Sequence, residues 1–283
     1  MGRTARNVKP RETIWELSDD LWAAIEPILL DDAPPTPRSN GGRPRIDRRR
    51  AIDGIIFRLR PGCQWNKLPG RFGSDRSIHR WFQRWCRNGV FERIWAVLVE
   101  ECDDLGAVDR KWQAADGMLG EARFGGKETG PNPTDRAEPG TKKSLVVDGD
   151  GGPPGAVIAG ANVLDFQLLD ETIRAMVVDR PDPGEVEQPL CLDAGYDNAP
   201  AREVLEGHGY VGHTRPAREG PRPSRRPGRR EARRWVVERT LAWLSKCRAL
   251  LVRYDKHDEN FLGLIPLACG LLWYRRLHRL MAQ

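Results

Sequence analysis

The spacing of the apolar residues changes near Lys111, and this change limits the folds open to the chain. Before it, apolar residues recur at i, i+3, i+4 and i+7, the pattern of amphipathic helices. After it come the short apolar runs WQAAD, KSLVVDGDG and GAVIAGAN. They are rich in Val, Ile and Ala and bounded by turn-forming residues, which is typical of strands. We therefore predict a helical domain over residues 1–105 and an α/β domain over residues 106–283.

Four helices are predicted in the first domain, at Leu17 to Leu30 with Ser18 as cap, Asp47 to Leu59, a helix starting at Ser74, and Phe91 to Glu101. The second and third match a helix-turn-helix pattern. Ile78, Trp81, Phe82 and Trp85 form one face of the third helix and are predicted to pack in the core. The segment DDAPPTPRSNGGRPR before the pair is rich in Pro and Gly, which predicts an exposed linker.

Basic residues are concentrated in a few places of a chain with a formal net charge of +6. Arg76, Arg80 and Arg84 repeat on the outer face of the third helix, which would suit a major groove. The alternative is an ordinary solvated helix face. Arg43 and Arg45, in a GRPR segment, are predicted either to enter an AT-rich minor groove or to belong to a flexible basic linker. Arginines of the segment REGPRPSRRPGRR are expected to contact phosphates non-specifically.

The second domain has the predicted order β-β-β-α-β-α-β, followed by helices at Glu231 to Tyr254 and Glu259 to Leu280. The two helices within this series are predicted at Leu164 to Met176 and Ala199 to Glu206. This order is that of the RNase H-like fold, a mixed sheet flanked by helices. The predicted fold is therefore an RNase H-like α/β domain preceded by a small all-α helix-turn-helix domain.

Three carboxylates fall at the boundaries of apolar elements in this domain. Asp116 ends WQAAD, Asp193 ends PLCLD, and Glu238 lies early on the helix RRWVVERTLAWL. Strand ends and an adjacent helix can bring such residues into one cleft. Taken singly, each acid has a simpler explanation, because an Asp after a strand is often a turn or cap residue and Glu238 can pair with Arg234.

Carboxylates suit hard divalent cations such as Mg²⁺, which prefer oxygen ligands and need neither histidine nor cysteine. Two ions roughly 3.5–4 Å apart can activate a water or sugar hydroxyl and stabilise a departing 3′ oxygen. We expect two Mg²⁺ ions, with Mn²⁺ able to substitute. Asp135 and Asp148 are competing carboxylates predicted to lie in turns, and Asp197 is predicted to cap the following helix.

Long segments of the chain resemble the DDE transposases of bacterial insertion sequences, in insertion-sequence family five. The resemblance is carried by LSDDLWAAIEPIL, GGRPRIDRRRAIDGIIFRLRPGCQWNKLP, GPNPTDRAEPGTKKSLVVDGDGGPPGAVIAGAN, LCLDAGYD and RRWVVERTLAWLSKCRALLVRYDK. It implies that Asp116, Asp193 and Glu238 are the first, second and third catalytic acids.

The family pattern around the third acid is often Tyr, Arg, Glu and Lys at fixed spacing. The corresponding residues of this chain are Glu231, Arg234, Glu238 and Ser245. Arginine and glutamate match, and the phosphate contact of the lysine is expected to pass to Lys246 or Arg248.

The segment from Gly125 to Lys143 is predicted to be a long loop that leaves the strand bearing Asp116. We expect Arg136, Lys142 or Lys143 to approach DNA there.

The predicted function is a DNA transposase that binds the terminal inverted repeats of its element and cuts and rejoins DNA, as a dimer or larger assembly. The alternatives are a DNA-binding regulator derived from such an enzyme and a metal-dependent nuclease of the same fold. No apolar run is long enough to cross a bilayer, so a cytoplasmic protein is expected. The six cysteines are dispersed, which predicts reduced and mostly packed thiols without a zinc site.

Overall fold

A computed structural model describes residues 14–32, 45–214 and 234–282 of the chain. The helices are α1 (Asp19–Asp31), α2 (Arg48–Leu59), α3 (Asp75–Arg87), α4 (Val90–Asp104), α5 (Leu169–Arg174), α6 (Ala199–Gly207), α7 (Trp235–Ser245), α8 (Arg248–Leu251) and α9 (Asp258–Met281). The strands are β1 (Gln113–Ala122), β2 (Gly130–Pro131), β3 (Pro139–Val147), β4 (Gly155–Gly160), β5 (Gln188–Leu192), β6 (Tyr210–Thr214) and β7 (Val252–Arg253). None of the described helices is both long and apolar enough to span a membrane.

The four predicted N-terminal helices are present. Ser18 caps α1, because its side chain accepts a hydrogen bond from the backbone N–H of Leu21. Ser74 precedes α3 as predicted but makes no side-chain capping bond. Ile78, Phe82 and Trp85 on α3 are buried, which confirms that this stripe packs in the core.

The connection between α2 and α3 differs from the prediction. It runs from Arg60 to Ser74 and contains two short 3-10 helices, Trp65–Lys67 and Gly70–Phe72. A strict helix-turn-helix has a turn of roughly three or four residues. The all-α region is therefore confirmed, but its two central helices are joined by a longer structured segment that carries side chains of its own beside α3.

The sheet is mixed, with neighbouring strands in the order β2-β3-β1-β5-β6. Strand β3 pairs in antiparallel orientation with both β1 and β4, whereas β5 and β6 run parallel to β1. This is the predicted RNase H-like arrangement. Two short strands were not predicted: β2 pairs with the start of β3, and β7 pairs with the end of β1.

The long helix predicted from Glu231 to Tyr254 is wrong at its C-terminal end, since α7 stops at Ser245. A short α8 follows, and β7 then pairs in parallel with Glu121 and Ala122 of β1. Helical periodicity did not anticipate this break, because strand pairing with a distant segment overrides local propensity. The predicted helix over 259–280 is confirmed by α9.

The helical region and the sheet share one hydrophobic core. It includes Ile52 of α2, Trp95 of α4, Leu145 of β3 and Trp273 of α9. The indole N–H groups of Trp95 and Trp273 both donate to the backbone carbonyl of Pro153, at 2.9 and 2.8 Å. These bonds join α4 and α9 to the β3–β4 hairpin, so the N-terminal helices pack directly on the α/β part.

All six cysteines are free thiols and four of them are buried, as predicted. The buried ones are Cys102, Cys191, Cys247 and Cys269. They contribute apolar volume to the core.

Asp148 follows β3 and forms a buried ion pair with Arg276 of α9, whose side chains are 2% and 9% exposed. Its carboxylate also accepts hydrogen bonds from the backbone N–H groups of Asp109, Asp150 and Gly152. The prediction that Asp148 is a turn residue is thereby confirmed. The pair also ties the sheet to α9.

We predict that Asp148→Ala lowers the free energy of unfolding by about 3–5 kcal/mol, because it leaves the buried Arg276 guanidinium without its partner. Urea unfolding followed by circular dichroism measures the change. Asp150→Ala, two residues away at an exposed position, is the matched control and should change stability by less than about 0.5 kcal/mol. Equal effects of the two substitutions would contradict the structural role of Asp148.

Candidate active site

The parallel pairing of β1 with β5 places Asp116 beside Asp193. In this register Ala114 is opposite Cys191, and the two aspartates each lie two residues further along their chains. Asp193 follows β5 directly, as predicted. Asp116 does not end its strand, contrary to the prediction, because β1 continues to Ala122 by pairing with β3.

Glu238 lies in the first turn of α7 and completes a group of three acids around one guanidinium. Arg234, the N-cap residue of α7, donates to Glu238 Oε1 at 2.7 Å. The same guanidinium lies 3.8 Å from Asp116 Oδ2 and 3.8 Å from Asp193 Oδ2. The predicted ion pair between Arg234 and Glu238 is thus present. The fold also brings Asp116 and Asp193 close to the same guanidinium.

The environments of the two aspartates differ. Burial raises the pKa of Asp116 to about 6, although the N–H of Gly117 and the charge of Arg234 act in the opposite direction. Asp193 is more exposed, and its Oδ1 accepts a hydrogen bond from Gly195 N–H at 2.8 Å. The buried carboxyl therefore becomes a strong ligand when a cation compensates for its lost hydration.

Three oxygen-donor side chains gathered around a positive charge have the chemistry that a hard divalent cation requires. In the described residues, no three Asp, Glu, His or Cys side chains converge closely enough to hold an ion as they stand. Arg234 lies among the acids and separates them. The donor chemistry fits a divalent metal, and in this structure the positive charge among the three acids is that of Arg234.

Asp165 is a fourth carboxylate near this group, and the sequence reading did not identify it. Its Oδ1 lies 3.1 Å from Lys142 Nζ, and a Cβ atom placed on Gly117 would lie 2.1 Å from the same oxygen. Gly117 and Asp116 are consecutive in β1 and point to opposite faces of the sheet. Asp165 therefore lies on the opposite face of β1 from the Asp116 side chain. Its carboxylate occupies space that is open because residue 117 is a glycine.

Tyr196, in the turn after Asp193, is also close. Its side chain is 1% exposed, and its hydroxyl has no hydrogen-bond partner among the described residues. Burial raises the pKa of this phenol, with further contributions from the charges of Asp165, Asp116 and Asp193. The hydroxyl is therefore neutral and can only donate or accept a hydrogen bond.

Two other competing carboxylates lie outside the group. Asp135 is in the tight turn that begins at Asn132, as predicted. Asp197 does not cap α6, contrary to the prediction; Asn198 accepts the capping bond from Ala201 N–H, and Asp197 pairs with Arg202 at 2.9 Å.

The segment from Gly125 to Lys143 is not a single loop, since Lys142 and Lys143 belong to β3. Lys143 is 2% exposed, and its Nζ donates to the carbonyl of Leu250 at 2.7 Å. Burial lowers its pKa to about 8. The prediction that Lys143 contacts DNA is wrong for this conformation, and Lys142, 6% exposed and paired with Asp165, is also directed into the protein.

Arg136 is exposed, but the strand register places it away from the acids. It precedes β3, whose Gly140 is opposite Glu121, five residues beyond Asp116 on β1. At the rise of an extended strand this separation is roughly 17 Å. The expectation that Arg136 approaches DNA at the cleavage site is therefore not supported.

Of the predicted groove-facing arginines, Arg76 and Arg80 are exposed on α3. Arg84 differs, because its guanidinium donates to the buried carboxylate of Asp32 at 2.8 Å and to the carbonyl of the same residue. It fastens α3 to the end of α1. The sequence predicts Arg84 on the outward, DNA-contacting face of α3, whereas in the structure a partner distant in sequence engages its guanidinium.

Other predicted DNA contacts lie in different settings. Arg45 is exposed at the edge of the described segment, and Lys246 is exposed at the C-cap of α7. Arg43 and the basic segment of residues 215–230 lie outside the described residues, as does Glu231.

Comparison with known families identifies the class of protein that these features define. Residues 102–273 match the family model "Transposase DDE domain", and residues 17–95 match "Putative transposase of IS4/5 family". The chain belongs to the DDE transposase family and is a DNA transposase of the insertion-sequence type.

Similar proteins carry related descriptions. The chain is 35% identical over 165 residues to the "Putative transposase for insertion sequence element IS402" of Burkholderia cepacia, covering 57% of this chain and 76% of that protein. It is 33% identical over 89 residues to the uncharacterized protein y4sN of Sinorhizobium fredii, covering 31% of this chain and 66% of that one. Among solved structures, the catalytic domain of Mos1 mariner transposase aligns at 12% identity with a TM-score of 0.28, covering 67% of this chain and 91% of that chain.

We predict that Asp116→Asn stabilises the metal-free protein at pH 8 by about 1–3 kcal/mol. The folded pKa of about 6 lies above the ordinary value of 3.8, so the fold favours the neutral carboxyl. Stability associated with this group is present at low pH and is lost as the pH rises from about 4 to 6. Urea unfolding at pH 8 and pH 4, in the presence of a chelator, should show a gain that shrinks at pH 4. Asp197→Asn serves as the control, and a pH-independent effect of Asp116→Asn would contradict the prediction.

Proposed function

We propose that this transposase binds the terminal inverted repeats of its own insertion sequence, cuts the 3′ ends and joins them to target DNA. Asp116, Asp193 and Glu238 are the proposed metal ligands and catalytic residues. The observation that carries the proposal is the approach of all three carboxylates to one guanidinium, although the three acids come from β1, the end of β5 and α7.

Mg²⁺ is the proposed ion, with two bound per active site and Mn²⁺ able to replace it. Two such ions would activate the attacking water or 3′ hydroxyl and stabilise the departing 3′ oxygen. In cleavage, water attacks the phosphorus and the bond to the 3′ oxygen breaks. In strand transfer the freed 3′ hydroxyl attacks a target phosphorus and the bond from that phosphorus to the target's 3′ oxygen breaks, so one set of carboxylates serves both steps.

Arg234 is proposed to exchange partners during the reaction. Without metal, its guanidinium balances three carboxylates that would otherwise repel one another. When cations compensate for these charges, Arg234 is free to bind a DNA phosphate, for which its planar donor arrangement is well suited. Lys246, about two helical turns beyond Glu238, is a second proposed phosphate contact.

DNA binding outside the active site is assigned to the exposed face of α3, through Arg76 and Arg80. Arg43 and Arg45 are proposed to contact an adjacent minor groove. Two element ends must be brought together in transposition, so we propose that a dimer or larger assembly forms on DNA. The substrate of this assembly would be bacterial DNA in the cytoplasm.

Cleavage at the element ends tests this proposal. Purified protein is incubated with Mg²⁺ or Mn²⁺ and a plasmid that carries the ends of the source element. We expect specific nicks at the ends, reduced at least about 100-fold by Asp116→Asn, Asp193→Asn or Glu238→Gln, because each removes a charged metal ligand. Asp197→Asn makes the same charge-removing change at a nearby acid that lies outside the group and pairs with Arg202, and it should remain active.

Two results would favour the alternatives. Specific end binding by the wild type without metal-dependent cutting would indicate a regulator. Cutting that is indifferent to the end sequence would indicate a nuclease.

We further predict that Arg234→Ala binds Mn²⁺ more tightly in the absence of DNA, by roughly two- to fivefold. The substitution removes a guanidinium that competes with the metal for the three carboxylates, and the gain is small because these ion pairs are partly exposed to solvent. Isothermal titration calorimetry measures this affinity. The same variant should cut DNA poorly, whereas Arg239→Ala, on the same helix, should bind Mn²⁺ like the wild type. Weaker Mn²⁺ binding by Arg234→Ala would rule out competition between Arg234 and the metal.

A further inference from the structure

A surface cleft of about 290 Å³ lies beside the N-terminal half of α3, in the segment that replaces a short helix-turn-helix turn. Its lining residues are Gln64, Trp65, Asn66, Asp75, Arg76 and His79. Three of them come from the connecting segment and three from α3. The cleft is therefore a product of the long connection, and it opens next to the arginines that face outward from α3.

Trp65 forms a rigid wall of this cleft. Its ring stacks on His79 with a centroid distance of 4.6 Å and an interplanar angle of 20°, and its second neighbour is Phe82 at 5.0 Å. The guanidinium of Arg58 lies 4.4 Å from the ring centroid. Contacts of this kind hold an indole in one orientation. The neighbouring residues Gln64 and Asn66 therefore extend from a well-ordered part of the backbone.

The cleft is also tied to the catalytic part of the chain. Arg58 pairs with Asp255 at 3.4 Å, and both side chains are less than a tenth exposed. Asp255 follows β7, the strand that pairs with the end of β1. A ligand in the cleft therefore has a defined position relative to the strand that carries Asp116.

The polar groups at the rim are suited to bases rather than to phosphates. Gln64 and Asn66 are exposed, and no hydrogen bond joins either side-chain amide to another described residue. Asp75 and Arg76 place one negative and one positive charge in the cleft, so these two charges cancel and give it no excess positive charge to attract a phosphate. Burial, and then the charge of Arg58, lower the pKa of His79, so its ring is neutral at physiological pH.

Each of these groups has a complement on the major-groove edge of a base. A side-chain amide pairs with N6 and N7 of adenine, an arginine with O6 and N7 of guanine, and a carboxylate accepts from N4 of cytosine. An apolar ring surface contacts the methyl group of thymine. Gln64 and Asn66 point to adenine as the principal base that is read.

We propose that this cleft reads base edges in the major groove of the DNA bound by α3, with Gln64 and Asn66 as specificity-determining residues. The inference rests on the proposed recognition of the element ends. It assigns sequence discrimination to the segment before α3, and it leaves Arg76 and Arg80 on α3 to hold the DNA in register.

Fluorescence anisotropy of the full chain with two duplexes tests the proposal, one carrying the element end and one a scrambled sequence of equal length. Gln64→Ala and Asn66→Ala should each weaken binding to the end duplex by roughly 5- to 150-fold, and leave binding to the scrambled duplex unchanged. The salt dependence of binding should also stay the same. Lys67→Ala, an exposed neighbour in the same turn, should weaken binding to both duplexes and reduce the salt slope by about 1.

Substitution of single adenines by 7-deazaadenine in the end duplex identifies the base. At the position that is read, the wild type should lose affinity and the corresponding alanine variant should lose none. Equal losses on both duplexes, or no loss in either amide variant, would overturn the role of the cleft while the end preference of the wild type persists. A wild type that binds both duplexes equally would overturn end recognition itself, and the role of the cleft with it.

Discussion

The parallel pairing of β1 with β5 is the constraint on which the candidate active site depends. It aligns Ala114 with Cys191, and the aspartates two residues further on therefore lie side by side. A shift of either strand by one residue would turn its aspartate to the opposite face of the sheet. The register is specified on both faces, since one packs against α7 and α9 and the other against α5 and α6. The position of two small carboxylates is thus maintained by most of the hydrophobic core.

Charge compensation follows from this geometry. A carboxyl as buried as Asp116 is costly to ionise, and the negative charges of Asp193 and Asp165 raise that cost. Arg234 reduces it from the N-terminus of α7, where it stands four residues before Glu238. The separate Asp148–Arg276 pair is buried, its carboxylate accepts hydrogen bonds from three backbone N–H groups, and the pair holds α9 against the sheet. One ion pair is therefore exposed enough to rearrange, whereas the other has a structural role.

The helical region is part of the same packing unit as the sheet. Trp95 and Trp273 share the carbonyl of Pro153, and Arg58 reaches Asp255 beyond β7. A DNA duplex held by α3 would therefore lie in a fixed orientation relative to the three acids. The proposed cleavage requires such a rigid connection, because contacts made elsewhere on the DNA must place the scissile phosphate at the proposed metal site.

The sequence by itself determined the long helices, the main strands and the candidate acids at their boundaries, because apolar periodicity and turn residues act between near neighbours. The mixed sheet was predicted only through the likeness of this order to the RNase H-like fold. The short strands β2 and β7 and the break after α7 were not predicted. Only the tertiary structure decided which charged side chains are available. The sequence predicts Lys143 in a loop, but it is buried in β3. The sequence predicts Arg84 on the outer face of α3, but its guanidinium binds Asp32. The sequence predicts that a strand ends at Asp116, but pairing with β3 continues β1 beyond this residue. In each case the deciding partner is distant in sequence, and local patterns carry no information on which distant segments meet.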